Sequence, residues 1–283
     1  MVFHNIMMGA ISQASAFSID QSVRFNDSDS PQLSRTYTLD SPWTFSAWIK
    51  RGELGSENMI LGSSNGEIHF NSDDTLEAEG TSSTAVFRDP GAWYHVVAVW
   101  DTDNATEGDR LRLYVNGERV TSLGTETYPT SGFNSVLGDA SGHFDIGQQG
   151  DGSQYMDGYL AEVYFIDGQS LTAASFGELD SDTNQWKPLD SDDVKDAVTF
   201  GTNGFFQKYN STELAASFAD SAIHTIHTVT ANGDAHTDTT IKKIGTASAQ
   251  FDGTGDYLSI PDSSDWDITT DWTLEFWVYP TSD

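Results

Sequence analysis

The sequence predicts an all-β protein: an antiparallel β-sandwich of the jelly-roll kind, followed by the start of a second, similar module. Three observations predict it. Strand-like runs recur every ten or so residues between clusters of Gly, Asn, Asp and Ser. Capped helical patterns are scarce and no strand–helix–strand rhythm appears, which points to antiparallel rather than parallel sheets. An internal repeat joins the two ends of the chain.

The elements follow in order. Residues 43–50 (WTFSAWIK) alternate large apolar residues with smaller ones, as a strand does. Residues 93–100 (WYHVVAVW) are aromatic and β-branched with little polarity, as expected of a strand buried on both faces. Residues 111–120 (LRLYVNGERV) read as two short strands around Asn116-Gly117. That pair accepts the positive φ angles of a tight hairpin turn. Residues 159–166 (YLAEVYFI) form another strand, closed by Asp167-Gly168, and residues 172–176 make one helical turn. In the strand runs Trp43, Trp48, Trp93 and Trp100 are assigned to packing, because large rings in apolar strands serve a core first.

The repeat sets residues 22–50 over residues 248–279. Phe25 lies over Phe251, Leu33-Ser34 over Leu258-Ser259, Trp43-Thr44-Phe45 over Trp272-Thr273-Leu274, and Trp48-Ile49 over Trp277-Val278. The organisation expected is an N-terminal docking arm over 1–20 and a sandwich over 21–170. A connecting region with extra strands covers 171–245, and the first strands of an incomplete second module cover 246–283. Within the connecting region, residues 180–196 are acidic and turn-rich. Residues 200–209 suggest a hairpin around Asn203-Gly204, and residues 227–238 hold a further Asn-Gly pair at 232–233.

Composition narrows the function. Lys and Arg number 13 against 43 Asp and Glu, a formal net charge of −30 over 283 residues. Such a chain lacks the basic face that displaces counterions from nucleic acid, and it is repelled by anionic membrane surfaces. No apolar run reaches the ~20 residues of a membrane span. With no cysteine, disulfides, thiolate metal sites and cysteine nucleophiles are excluded. Residues 14–16 (Ala-Ser-Ala) suit a signal-peptidase site, but no Lys or Arg precedes the short apolar stretch, so the first residues read as an arm that docks on a partner.

The run WTFSAWIK, WYHVVAVWD, LRLYVNGERV and GYLAEVYFIDGQSL resembles the laminin-G-like, concanavalin A-like lectin/glucanase superfamily in its pentraxin-related branch. The shared features are the tryptophan pair Trp43 and Trp48, Trp93 to Val96, Tyr114 to Gly117, and Asp157 to Val163. More narrowly, SIDQSVRFNDSDSPQLSRT (18–36) and AEVYFIDGQSLTAASFGELDSDTNQWKP (161–188) resemble modules in structural proteins of tailed, marine bacteriophages. That resemblance implies a virion structural protein, a tail-fibre, tail-spike or capsid-decoration component. It would be assembled in host cytoplasm and displayed on the virion surface. Its lectin-like modules would bind host-surface glycans without catalysis. The N-terminal arm would contact other virion proteins, and several copies in a homo-oligomer would supply avidity. Two alternatives stand beside it: a structural knob or spacer without ligand, and a glycan hydrolase.

The resemblance also implies where ligands bind. Related modules hold calcium on the rim just after an [IL]-G-Q sequence, here Ile146-Gly147-Gln148, so the resemblance implies calcium as a cofactor, with Gln149, Asp151 and Asp157 as its ligands, beside the alternative of a plain Gly-Asp-Gly turn that needs no metal. Asp252 and Asp256 are the analogous pair in the second copy. Glycan contact falls to His143, Gln149, Asp151 and Tyr155, with Phe133 as a further exposed-loop ring. No catalytic residue is assigned. A retaining glycosidase needs two carboxylates about 5–5.5 Å apart, and glucanase-like relatives carry E-x-D-x-x-E. Glu178-Leu179-Asp180 and Glu77-Ala78-Glu79 match it only in part, while Glu162 and Glu275 stand singly in apolar strands. His224, His227 and His236 read as polar residues of strand edges rather than converging metal ligands.

Overall fold

The computed structural model describes residues 17–35, 39, 41–63, 66–135, 137, 144–150, 152–209, 230–242, 248–260 and 278–280. The chain divides into two compact units, residues 1–223 and 224–283. The first opens with β1 (Val23–Phe25), β2 (Leu33–Arg35), β3 (Trp43–Arg51) and β4 (Asn58–Gly62). Next come β5 (Glu67–Phe70), β6 (Thr75–Ala78), β7 (Thr81–Val86) and β8 (Tyr94–Trp100). They are followed by β9 (Leu111–Val115), β10 (Glu118–Arg119), β11 (Leu123–Thr125), β12 (Phe144–Ile146) and β13 (Gly158–Asp167). A last group holds β14 (Gly177–Leu179), β15 (Trp186–Pro188), helix α1 (Ser191–Ala197) and β16 (Phe205–Gln207).

Two antiparallel sheets of seven strands make the sandwich. The first runs β1-β13-β3-β8-β9-β10, with β16 also on β13, and the second runs β11-β7-β6-β5-β4-β12-β2. Between them lies a core fed by alternate residues: Phe45, Ala47 and Ile49 from β3, Val96 and Ala98 from β8, Ile68 and Phe70 from β5, Leu76 and Ala78 from β6. Trp43 stacks on Trp100 at 6.1 Å and donates from Nε1 to Ser135 Oγ at 2.8 Å. At the sandwich edge the fully buried Arg51 guanidinium meets Asp74 at 3.0 Å and donates to the Phe87 carbonyl at 2.7 Å.

Strand β3 is buried along both faces because a third layer covers the outside of the first sheet. Val97, Val99, Tyr114, Tyr164, Ile166 and Phe206 on that face pack against Ala173, Phe176, Val194 and Val198. Trp186 seals the adjoining part, lying over His95 at 5.9 Å, while Trp48 stacks on His95 at 4.9 Å. Trp186 fits because Gly117 and Gly177 leave it room: a Cβ on either would lie 2.4 Å and 2.7 Å from the indole. Gly117, at φ +86, and Asn116, at φ +49, form the turn between β9 and β10, so one glycine serves both turn and packing.

Three expectations are corrected. Trp93 precedes β8 and is 37% exposed, because the chain is still turning out of the loop that carries Pro90 and Gly91. Residues 200–209 do not form a hairpin: after a turn at 201–203, β16 pairs along β13 through Val163↔Gln207 to Phe165↔Phe205. The acidic stretch read as turns holds α1, whose N-terminus is capped by the Asp190 carboxylate accepting from Asp192 N at 2.9 Å. The helical turn expected at 172–176 is a short 3₁₀ turn, Ala173–Ser175.

The second unit contains β17 (Thr230–Asn232), β18 (His236–Asp238), β19 (Ser248–Gln250) and β20 (Tyr257–Ser259). Strand β17 pairs with β20, and β18 with β19. In the repeat, β19 and β20 fall over β1 and β2. Their surroundings differ: Phe251 is 47% exposed, whereas Phe25 is 1% exposed. The tryptophans at 272 and 277 lie outside the described residues, as does most of the expected N-terminal arm.

Candidate functional site

His143 and Asp151 lie outside the described residues. Of the others expected on the rim, Gln149 opens a tight turn in which its N–H bonds the Ser153 carbonyl at 3.1 Å. Its Nε2 donates to Glu67 Oε2 at 3.3 Å, and its Oε1 accepts from Ser153 Oγ at 3.4 Å. Tyr155 is half-buried and donates its hydroxyl to the Gly152 carbonyl at 2.7 Å. Asp157 is ion-paired with Arg24 at 2.8 Å, and Arg24 lies over the Tyr159 ring. Gln149 and Asp157 therefore have separate partners, and calcium held by both would require Asp157 to exchange its guanidinium for the ion.

A cleft of about 360 Å³ lies at the rim of the sandwich, lined by Glu67, Glu79, Gly80, Trp100, Thr127, Pro129, Thr130 and Phe133. Its architecture follows from local structure. Glu67 starts β5, and Glu79-Gly80 make the turn from β6 to β7 with φ of +49 and +78. Trp100 ends β8, and Phe133, from the loop between β11 and β12, is 48% exposed. In two residues that line the cleft, one polar atom each, Glu79 Oε1 and Trp100 Nε1, is buried without a hydrogen-bond partner among the described residues. Burial, reinforced by the nearby Glu67 carboxylate, pushes the Glu79 carboxyl well above the usual range. The cleft thus brings together two glutamates, the Trp100 indole, two threonines and an exposed ring. Hydrogen-bonding groups beside an apolar platform are what a hydroxyl-rich ligand uses.

Of the residues lining the cleft, the sequence marks Phe133 as a loop ring, Glu79 as one of a carboxylate pair and Trp100 as a packing residue, and does not mark Glu67. The available signal was period-two spacing in residues 67–70 (EIHF), which sends Glu67 and His69 to one face and Ile68 and Phe70 to the other. The two carboxylate pairs that match E-x-D-x-x-E in part each straddle the end of a strand. Glu178 and Asp180 both face Lys187, at 3.2 Å and 3.6 Å, in the β14–β15 hairpin. Glu77 sits on β6, while Glu79 has left the strand for the following turn. Glu162 is buried in a bulge of β13 and accepts the Tyr164 hydroxyl at 2.5 Å. Burial lifts its pKa to about 7.

In the second unit, Asp252 and Asp256 converge with Asp234, with side-chain oxygens within 4.8 Å. Asp256 accepts from the backbone of both, and its proximity raises the Asp234 carboxyl. His236 is exposed on β18, its Nδ1 2.6 Å from the Asp234 carbonyl. His224 and His227 lie outside the described residues.

The Laminin_G_3 family model, of the concanavalin A-like lectin/glucanases superfamily, matches residues 20–177, more than half of the chain. The chain belongs to this family, and its first unit is a lectin-like β-sandwich. No curated protein matches it. Among solved structures it is similar to a putative carbohydrate binding protein from Bacteroides ovatus, at 17% identity and TM-score 0.40, over 51% of this chain and 42% of that one. It is also similar to domain 4 of AbnA, a GH43 extracellular arabinanase from Geobacillus stearothermophilus solved with arabinotriose. The identity is 16% and the TM-score 0.35, over 50% of this chain and 67% of that one. A third is the CBM40 of a Ruminococcus gnavus IT-sialidase bound to α2,3-sialyllactose, at 12% identity and TM-score 0.29, over 63% and 98%.

Proposed function

We propose that this chain is a non-catalytic component of a phage virion surface, a fibre or decoration protein, whose lectin-like module binds host-surface glycans. The observation that carries the glycan reading is the rim cleft, where the exposed Phe133 ring faces solvent beside two residues, Glu79 and Trp100, that each bury a polar atom without a partner among the described residues. Such atoms cost free energy until a ligand satisfies them. Phe133 offers a platform for a sugar ring, and the Glu67 and Glu79 carboxyl groups offer hydrogen-bonding oxygens to hydroxyls. The virion reading is supported by the resemblance of residues 18–36 and 161–188 to phage structural modules. It is also supported by an acidic, cysteine-free surface suited to salt water. Virion partners on the N-terminal arm, a homo-oligomer and calcium on Gln149, Asp151 and Asp157 belong to the same proposal.

The test is a glycan array followed by calorimetry on the full chain, with calcium and with chelator. Phe133→Ala and Glu67→Gln are run in parallel. Loss of stacking worth about 1 kcal/mol predicts a several-fold weaker Kd for Phe133→Ala. A folded protein that binds no glycan would overturn the reading in favour of a structural knob. One observation favours a hydrolase instead: Glu67 and Glu79 bring two carboxyl groups to one cleft, and burial raises the Glu79 carboxyl. Sugar release that Glu79→Gln abolishes would replace the non-catalytic reading.

A further inference from the structure

The outer face of the second sheet carries a cluster beyond anything the glycan reading uses. We propose that Glu67, His69 and Glu77 form a binding site for a divalent transition-metal ion of the Zn²⁺ type. Glu67 and His69 stand two apart on β5, and Glu77 on β6 is the direct cross-strand partner of His69. One ligand atom from each lies within 4.8 Å of the others, and His69 Nδ1 is 3.9 Å from Glu67 Oε1.

The second observation is the imidazole itself. His69 is 4% exposed, and its Nδ1 is buried without a hydrogen-bond partner. Its tautomer follows from Asn71. The Asn71 Nδ2 donates to Glu77 Oε2 at 3.0 Å and to Thr75 Oγ1 at 3.1 Å. Asn71 Oδ1 therefore accepts, and it lies 3.0 Å from His69 Nε2, which must carry the proton. The Nδ1 lone pair is left facing a carboxylate. A protonated Nδ1 would draw that carboxylate to about 2.7–2.9 Å, well inside the separation found. A cation between nitrogen and carboxylate satisfies both.

The donor set names the class of ion. One imidazole nitrogen and two carboxylates suit Zn²⁺ and its neighbours, whereas Ca²⁺ prefers an all-oxygen shell. Three protein ligands leave room for water or a ligand oxygen. The surrounding bonds have the pattern of an outer shell: Asn71 orients both His69 and Glu77, and Gln149 Nε2 holds Glu67 Oε2. Glu67 also lines the rim cleft, yet metal binding is read directly and does not depend on the glycan proposal.

The experiment titrates Zn²⁺ into the chelator-stripped full chain by calorimetry and records the visible spectrum with Co²⁺. Expected is one tight equivalent and a Co²⁺ band typical of low coordination number. His69→Gln and Glu77→Gln each weaken affinity at least about tenfold, Asp252→Asn leaves it unchanged, and excess Ca²⁺ does not displace the ion. Zn²⁺ uptake that survives in both ligand variants, or uptake that Asp252→Asn removes, overturns the proposal. So does a folded wild-type chain that takes up none. Glu77 is half-exposed, so Glu77→Gln decides the question even if His69→Gln fails to fold.

Discussion

Glu162→Gln should make the protein more stable at alkaline pH and leave it nearly unchanged in acid. Glu162 is 3% exposed, and it accepts the Tyr164 hydroxyl. Burial outweighs that hydrogen bond and the nearby Lys208, lifting the carboxyl from 4.5 to about 7. The sign follows directly. Between pH 4.5 and 7 the folded chain holds a proton that the unfolded chain releases, so stability falls as pH rises through that window and levels off above it. A difference of about 2.5 pH units at about 1.4 kcal/mol each amounts to about 3 kcal/mol. Gln keeps the shape and the acceptor for Tyr164 but cannot ionise. Urea unfolding of both proteins by tryptophan fluorescence, at pH 5 and pH 8, measures the gap. The variant should lead by about 2.5 kcal/mol more at pH 8 than at pH 5, because part of the effect is already present at pH 5. The other titrating groups cancel in the subtraction. A gap equal at the two pH values would refute the argument that a buried carboxylate is what the fold resists.

Three further predictions rest on other parts of the first unit. Asp74→Ala should cost about 3–5 kcal/mol in urea unfolding, because it leaves the Arg51 guanidinium buried without its carboxylate. Gly117→Ala should cost at least about 2 kcal/mol, read as a lower Tm. It adds a left-handed conformational penalty to a Cβ placed 2.4 Å from Trp186. Burial holds His95 neutral with a pKa of about 3, while Trp186 Nε1 donates to its Nδ1 at 2.9 Å and its Nε2 meets Ser46 Oγ at 2.9 Å. The folded pKa is depressed below 6.5, so the stability His95 confers is complete above that pH and lost as pH falls toward 3. His95→Gln should flatten that acid limb in a fluorescence titration of stability.

The core sandwich was legible because each strand carries its own period. Phe45, Ala47 and Ile49 alternate with Thr44, Ser46 and Trp48, and the turn at Asn116-Gly117 is a two-residue signal. The third layer was not legible. Its apolar residues, Phe176, Trp186, Val194 and Val198, are spread singly through a turn-rich acidic stretch, and only the sheet they cover gives them a common face. Trp93 misled because its neighbours are strand-forming; strand propensity does not mark where the loop ends. The candidate site was half legible. Phe133 stood out in a loop, but Glu67, Glu79 and Trp100 come from three different strand ends. Only the pairing of β5 with β6 places Glu77 opposite His69.

The unequal covering of the two sheets decides where a ligand can reach this module. A sandwich has two outer faces. Residues 171–200 seal the first, turning Thr44, Ser46 and His95 into interior groups. Thr44 Oγ1 there donates to the Gln169 carbonyl at 2.9 Å and accepts the Leu171 N–H at 3.0 Å. The second outer face holds Glu67, Glu77 and Gln149 half-exposed, and Asp145 beneath them bonded to Ser34 and Gln148. Substitutions in residues 171–200 should therefore change binding only through stability, in step with Tm. Substitutions at Glu67, Glu77 or Phe133 should change binding while Tm stays within a few degrees, since surface changes are usually within about 0.5 kcal/mol. A binding loss without a Tm loss at Val194 or Phe176 would show that the covered face is itself open to ligand, and the layer would have to be read as a movable cover.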